Sequence, residues 1–409
     1  MTALLAIPPV PHSPPAAQRH GGADVARRLL GDAEYSSSSA RIPFHFVLNE
    51  VRVDTTIDGA GPFHLILDTG MPTPGILLFR SPAVDALGLE DSGMHVQVAG
   101  AGGAGESTQA LVATGTSAAL GELRMTNVAV MVLPENREMP PGVDGVIGGA
   151  LFFHYAVRID LEGERLELLD PSSFTPPEGA CVVPLVRVPG AAFVDVRVAV
   201  GDGEPIPARV VVDIGAGHAL SLNARDDGAL AAPAGAIEAP VGRGLSGQML
   251  GKIGRVRRFE LGSFALEDVV TSFPVKEHMH PGGFDFRDGN LGMGILKRFV
   301  MTFDYASSRL VLEKGKHFGD PFEHDMSGMS WDLHGDGTVW IGAVLEGSPA
   351  AAAGVQTGDQ ILSLDGRPVS ELGGDALRDA LTVVDKEVAL ELRRGTEVLA
   401  KRLRLRRLL

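Results

Sequence analysis

From Ile42 the chain is written in short apolar runs separated by turn residues. Phe44–Val47 and the runs at 51–57 and 63–67 have the length and content of strands, with Asp58-Gly59-Ala60-Gly61 as a turn between the last two. The third run passes without a break into Leu65-Ile66-Leu67-Asp68-Thr69-Gly70, where a strand gives way to a carboxylate, a small hydroxyl and a glycine free to turn. The same grammar returns. Runs at 181–186 and 193–200, the turn Gly201-Asp202-Gly203-Glu204 and a run at 208–212 lead into Val210-Val211-Val212-Asp213-Ile214-Gly215-Ala216-Gly217.

Asp213 follows Asp68 by 145 residues, and the surroundings of the two aspartates repeat at nearly the same interval. Asp144-Gly145-Val146-Ile147-Gly148 is echoed by Asp288-Gly289-Asn290-Leu291-Gly292 at an offset of 144, and Asp160 by Asp304 at 144 again. Two copies predict two facing lobes rather than a solenoid, which needs three or more. Asp160 and Asp304 open the turns Glu162-Gly163-Glu164 and Ala306-Ser307-Ser308 and are read as turn residues. Ala99-Gly100-Ala101-Gly102-Gly103-Ala104-Gly105 has the spacing of a dinucleotide loop, but no helical pattern follows it. Gly102 lies 34 residues after Asp68 as Gly247 lies 34 after Asp213, so both are predicted to be hairpin tips.

Composition narrows the classes. The 409 residues, 44% hydrophobic, can bury more than one core, and 52 Gly and 27 Pro with few long helical periods predict a mainly β protein. A net charge of -15 argues against a nucleic-acid partner and favours polypeptide. Cys181 is the single cysteine, so no intramolecular disulfide is expected. His278-Met279-His280 has no third ligand nearby and reads as a surface loop, and no metal or other cofactor is expected; His218 has no assigned role. Residues 1–40, rich in Pro, Ala and Ser, are expected to form a mobile arm. The apolar run before Pro8 and Pro9 is too short for a signal core, and no run is long enough for an integral membrane segment. The compartment is left open, with the cell envelope or secretion available should a leader precede this chain.

Asp68-Thr69-Gly70 followed by Val146-Ile147-Gly148, and their second copies, resemble the pepsin and retropepsin-like aspartic proteases over about residues 41 to 315. Bacterial proteins with two such repeats and a trailing peptide-binding domain look most similar. The resemblance implies a bilobal acid-protease-like pair of β barrels, with lobes at 41–175 and 176–318, and an aspartic endopeptidase acting through Asp68 and Asp213. It makes Thr69, Gly70, Ile214 and Gly215 shape the site, Gly102 and Gly103 form a flap over the substrate, and the two apolar-apolar-Gly segments brace the aspartate loops. Two carboxyls about 3 Å apart cannot readily both ionise, so the pair holds one proton, and activates water without metal or covalent intermediate. Two departures stand out. Asn290 is polar within its brace, and Ile214 replaces the Thr or Ser whose hydroxyl ties the loops together. That second departure supports an alternative, a weak or inactive peptide-binding protein on the same scaffold; a third reading pairs the Asp68 loops of two chains.

After Phe318-Gly319-Asp320-Pro321 the composition shifts, and 326–409 reads as a separate α+β unit. Val344-Leu345-Glu346-Gly347-Ser348-Pro349-Ala350, Ala353-Gly354-Val355 and Gly358-Asp359-Gln360-Ile361-Leu362 resemble a PDZ domain. Ser348 and Pro349 start a short helix that Gly354 ends, and a second helix is expected at 375–384. The resemblance implies that Gly328, Met329, Ser330 and Trp331 form the loop capturing a C-terminal peptide carboxylate, with the peptide added as a strand.

Overall fold

The computed structural model describes residues 33–71, 73–98, 108–133, 142–188, 191–244, 247–275 and 287–409. The first lobe is a nine-stranded sheet of β1 (Glu34–Tyr35), β3 (Phe44–Val47), β4 (Glu50–Ile57), β5 (Ala60–Leu67), β6 (Ile76–Phe79), β7 (His95–Val98), β8 (Thr108–Leu120), β9 (Leu123–Leu133) and β10 (Gly145–Ile147). Pairing of β8 with both β4 and β9 curls it towards closure. The second lobe repeats this plan in eight strands: β14 (Val186–Val188), β15 (Ala191–Ala199), β16 (Ile206–Val212), β17 (Leu220–Leu222), β18 (Ile237–Gly244), β19 (Gly247–Leu261), β20 (Phe264–Pro274) and β21 (Gly289–Leu291). The protein is mainly β, as predicted.

A third sheet joins the lobes. It comprises β2 (Ala40–Ile42), β11 (Ala156–Asp160), β12 (Arg165–Leu169), β13 (Cys181–Pro184), β22 (Phe299–Asp304) and β23 (Arg309–Lys314). At its centre β11 runs antiparallel to β22 with Val157 opposite Phe303, Arg158 opposite Thr302 and Ile159 opposite Met301. Arg158 and Thr302 are equivalent positions of the duplication, so a pseudo-two-fold axis passes between them. Asp160 and Asp304 close their turns by accepting Gly163 N–H (2.8 Å) and Ser307 N–H (3.1 Å), the structural role expected of them. One apolar core, including Leu67, Phe152, Val212, Ile214, Phe299 and Phe303, runs continuously through both lobes.

Two expectations shift. The run at 181–186 is not one strand: the chain leaves the shared sheet after Pro184 and enters the second lobe's sheet at Val186. Residues 33–40, assigned to the arm, are tied down. β1 pairs with β9, the Tyr35 hydroxyl donates to Ala150 O at 2.7 Å, and the Tyr155 hydroxyl donates to Ser37 O at 2.6 Å.

The C-terminal unit has its own core, which includes Met326, Ile341, Ile361, Leu377 and Leu392. Its sheet runs β24 (Met329–Leu333), β25 (Val339–Val344), β26 (Gln360–Leu364), β28 (Glu387–Arg394), β29 (Glu397–Arg404), with β27 (Arg367–Pro368) beside β26. The short helix Pro349–Ala352 is capped by the Ser348 hydroxyl, which accepts Ala351 N–H at 3.2 Å, as its sequence predicts. The second helix, here αC (Val369–Ala380), begins earlier than expected and breaks at Gly373, whose φ of 77° suits glycine. This unit rests on the lobes through the turn between β3 and β4. Leu48 N–H donates to both carboxylate oxygens of Asp375 (3.1 and 2.9 Å), and the Leu48 side chain lies against Gly374.

Candidate active site

Each aspartate is delivered by a strand held on one side by its brace. β5 pairs in parallel with β10, and Asp68 N–H donates to Ile147 O at 2.9 Å; β16 pairs in parallel with β21, and Asp213 N–H donates to Leu291 O at 3.0 Å. The approach requires glycine at the end of each brace. A Cβ at Gly148 would overlap the carbonyl oxygens of Asp68 and Met71, and one at Gly292 those of His218 and Ala216. The braces are pinned at their other ends by Asp144, which accepts His64 N–H at 2.8 Å, and by Asp288, which accepts Arg209 N–H at 2.8 Å.

The two loops bring the Asp68 and Asp213 carboxyls to the same point of the lobe interface, each packed against the glycine of the other's loop and close enough to act on the other's charge. Asp68 Oδ1 accepts Gly70 N–H at 2.6 Å and Asp213 Oδ1 accepts Gly215 N–H at 3.0 Å. The glycines also cross over. A Cβ on Gly215 would overlap the Asp68 carboxyl, and one on Gly70 would stand 3.1 Å from Asp213 Cγ. Burial, then the neighbouring Asp213 charge and the hydrogen bond to it, push the Asp68 pKa well above the usual carboxylate range; the N–H groups of Gly70 and Gly215 oppose this. A carboxyl there keeps its proton to unusually high pH.

Thr69 and Ile214 divide the tie between the loops unequally. The buried Thr69 hydroxyl donates to Val212 O at 2.8 Å and accepts Ile214 N–H at 3.0 Å. Ile214 has no hydroxyl to reciprocate and packs, fully buried, into the shared core. The asymmetry foreseen from sequence is therefore one hydroxyl making two bonds across the interface.

Asn290 is more than a departure from an apolar pattern: its Nδ2 donates to Asp213 Oδ2 at 2.6 Å. His218, left without a role from sequence, lies beside it in the same loop as Asp213. The signal for Asn290 was its polarity within a run that is otherwise apolar, and for His218 only its nearness in sequence to Asp213, with no orienting partner among its neighbours Ala216, Gly217 and Ala219.

The predicted flap glycines Gly102 and Gly103 lie outside the described residues, as do His278 and His280. The stems on either side of the first hairpin are paired from His95 opposite Leu111 to Val98 opposite Thr108. Gly244 opposite Gly247 closes the described part of the second hairpin. Among the described residues no group of three or more His, Cys, Asp or Glu side chains is placed to hold a metal ion. No described helix is long and apolar enough to cross a membrane.

In the C-terminal unit the expected carboxylate loop differs from the prediction. Gly328 N–H donates to Asp325 Oδ1 at 2.8 Å and Met329 N–H to Ser327 Oγ at 3.1 Å, so two of its amides already have acceptors. The half-buried Asp325 side chain also accepts Ser327 N–H at 2.9 Å, occupying this turn of backbone donors itself. Ser330 and Trp331 sit on β24, the edge strand of the sheet.

These features define a two-lobed β protein with paired aspartates at the lobe interface. Residues 53–151 match the family model described as aspartyl protease and residues 340–394 the one described as PDZ domain, so the chain carries an aspartyl protease domain and a C-terminal PDZ domain. A solved structure similar to this chain is the aspartic proteinase from Irpex lacteus, at 13% identity and a TM-score of 0.48, covering 69% of this chain and 99% of that one. Comparison with curated proteins gives no match.

Proposed function

We propose that the chain is an aspartic endopeptidase in which Asp68 and Asp213 share one proton and activate a water, with the PDZ domain engaging polypeptide. The observation that carries this reading is the juxtaposition of the two carboxyls across the paired loops, with Asp68 held towards its protonated form. Both acids are only partly covered, so a water and a peptide bond can reach them. The ionised carboxylate takes a proton from water as its oxygen attacks the scissile carbonyl carbon, while the protonated partner donates to the carbonyl oxygen. Collapse of the tetrahedral intermediate passes a proton to the amide nitrogen, the C–N bond breaks, and the dyad returns to a single proton. Thr69, Gly70, Ile214 and Gly215 hold the carboxyls in register. Gly102 and Gly103 are proposed to close over the substrate, and the exposed edge of β24 to take a peptide as an added strand. Because Gly328 and Met329 amides have internal acceptors, capture of a C-terminal carboxylate requires Asp325 and Ser327 to yield them.

The test is incubation with an unfolded protein from about pH 3 to about pH 8, with products read by mass spectrometry. Cleavage by the wild-type chain that disappears in both Asp68→Asn and Asp213→Asn is expected. Cleavage surviving in Asp213→Asn but lost on dilution would instead indicate pairing of Asp68 loops between chains. A wild-type chain that binds the unfolded protein without cutting it would make it a peptide-binding protein.

A further inference from the structure

The two halves of the dyad are not equivalent. Asp213 accepts Gly215 N–H on Oδ1 and the Asn290 amide on Oδ2, at 3.0 and 2.6 Å. The position matching Asn290 in the first lobe is Val146, which has no polar group to offer Asp68. The Asn290 amide must in turn be held. Its Oδ1 is buried without a hydrogen-bond partner, and so is Nε2 of His218. The imidazole lies beside Asn290, with both the side chain and the backbone of Asn290 among its polar neighbours. A neutral imidazole carrying its proton on Nε2 supplies the donor that the buried Asn290 Oδ1 acceptor lacks, so the pair can satisfy both orphan atoms at once. The reverse amide orientation would aim Oδ1 at the Asp213 carboxylate.

We infer that His218 and Asn290 are a positioning pair: His218 Nε2–H holds Asn290 Oδ1, and Asn290 Nδ2 is thereby kept aimed at Asp213 Oδ2, fixing that carboxyl within the dyad. This rests on the peptidase reading above. Burial lowers the His218 pKa, against the pull of Asp213 and Asn290, which keeps the ring in the neutral form that this arrangement uses. The other titratable or charged groups facing Asp213 are Asp68, Tyr305 and Arg287, and none changes in the variants below.

In Asn290→Leu the acid limb of kcat/KM is expected to move up by about one pH unit, because the carboxylate loses a charge-assisted donor. Expected too is a fall of ~10-fold in kcat with KM nearly unchanged. His218→Phe should move the limb in the same direction, and His218→Gln, which retains an N–H donor, should restore it. A lowered melting temperature with an unmoved limb would reduce the pair to packing and overturn the inference. A second readout needs no turnover: ¹⁵N spectra of the wild-type chain should show neutral His218 protonated on Nε2, and the Nδ1–H tautomer would overturn the inference. Should the wild-type chain prove inactive, the peptidase reading fails while the tautomer still decides this one.

Discussion

At the scale of single residues, the site depends on how closely backbone and carboxyl approach. A methyl at Gly215 would occupy the space of the Asp68 carboxyl, so Gly215→Ala is expected to displace Asp68 and cost ~100-fold or more in kcat/KM while the lobes still fold. Steady-state kinetics beside a melting curve checks this. Thr69→Val removes both bonds that cross the interface, and the loss should be about 1–3 kcal/mol of stability by denaturant titration, since the Ile214 N–H is left buried without its acceptor. The raised pKa of Asp68 has a consequence for folding. A carboxyl whose folded pKa lies above its unfolded value stabilises the fold below the unfolded pKa, and this contribution is lost as pH rises through the folded pKa. Asp68→Asn should therefore leave the melting temperature nearly unchanged at about pH 3 and raise it at about pH 8; a decrease at the higher pH would contradict the upward shift at Asp68.

At the scale of elements, the turn between β3 and β4 links three parts of the molecule. Leu48 and Asn49 both have positive φ, 52° and 65°, which suits a tight hairpin. Leu48 meets Asp375 and Gly374 of αC, while Asn49 Nδ2 donates to Gly217 O at 2.8 Å in the Asp213 loop and its Oδ1 accepts Lys297 Nζ at 3.0 Å. Asp375→Ala deletes the acceptor for Leu48 N–H, so the PDZ unit should detach more readily. Limited proteolysis near residues 315–325 should speed up, with the melting of the lobes unchanged. The duplicated hairpin, the aspartate loops and the braces were legible from sequence because each is a local pattern that occurs twice. The docking of Leu48 and the pairing of β1 with β9 were not, since both depend on contacts between segments with no shared pattern. Asp325 filling the loop ahead of β24 was equally hidden, because a carboxylate in a turn looks the same whether it caps its own loop or faces water.

At the scale of the whole molecule, duplication explains both the symmetry and its breaking. Equivalent strands β11 and β22 meet at the pseudo-two-fold axis and a single apolar core passes through both lobes, so both aspartate loops are anchored in the same packed interior. The copies differ where chemistry is expected to differ: Thr69 against Ile214, and Val146 against Asn290. The offset in the sequence made the pairing of Asp68 with Asp213 legible, while its asymmetry became readable only once Asn290 was seen to reach Asp213. In the proposed mechanism these two carboxyls act as one acid–base pair. The most direct measurement is the pH dependence of kcat/KM for a single fluorogenic peptide, at protein concentrations spanning about two decades, for the wild-type chain and for Asp68→Asn and Asp213→Asn. A shared-proton dyad within one chain predicts a bell-shaped profile independent of protein concentration for the wild-type chain, and no measurable profile for either variant. A bell retained in either variant would contradict it.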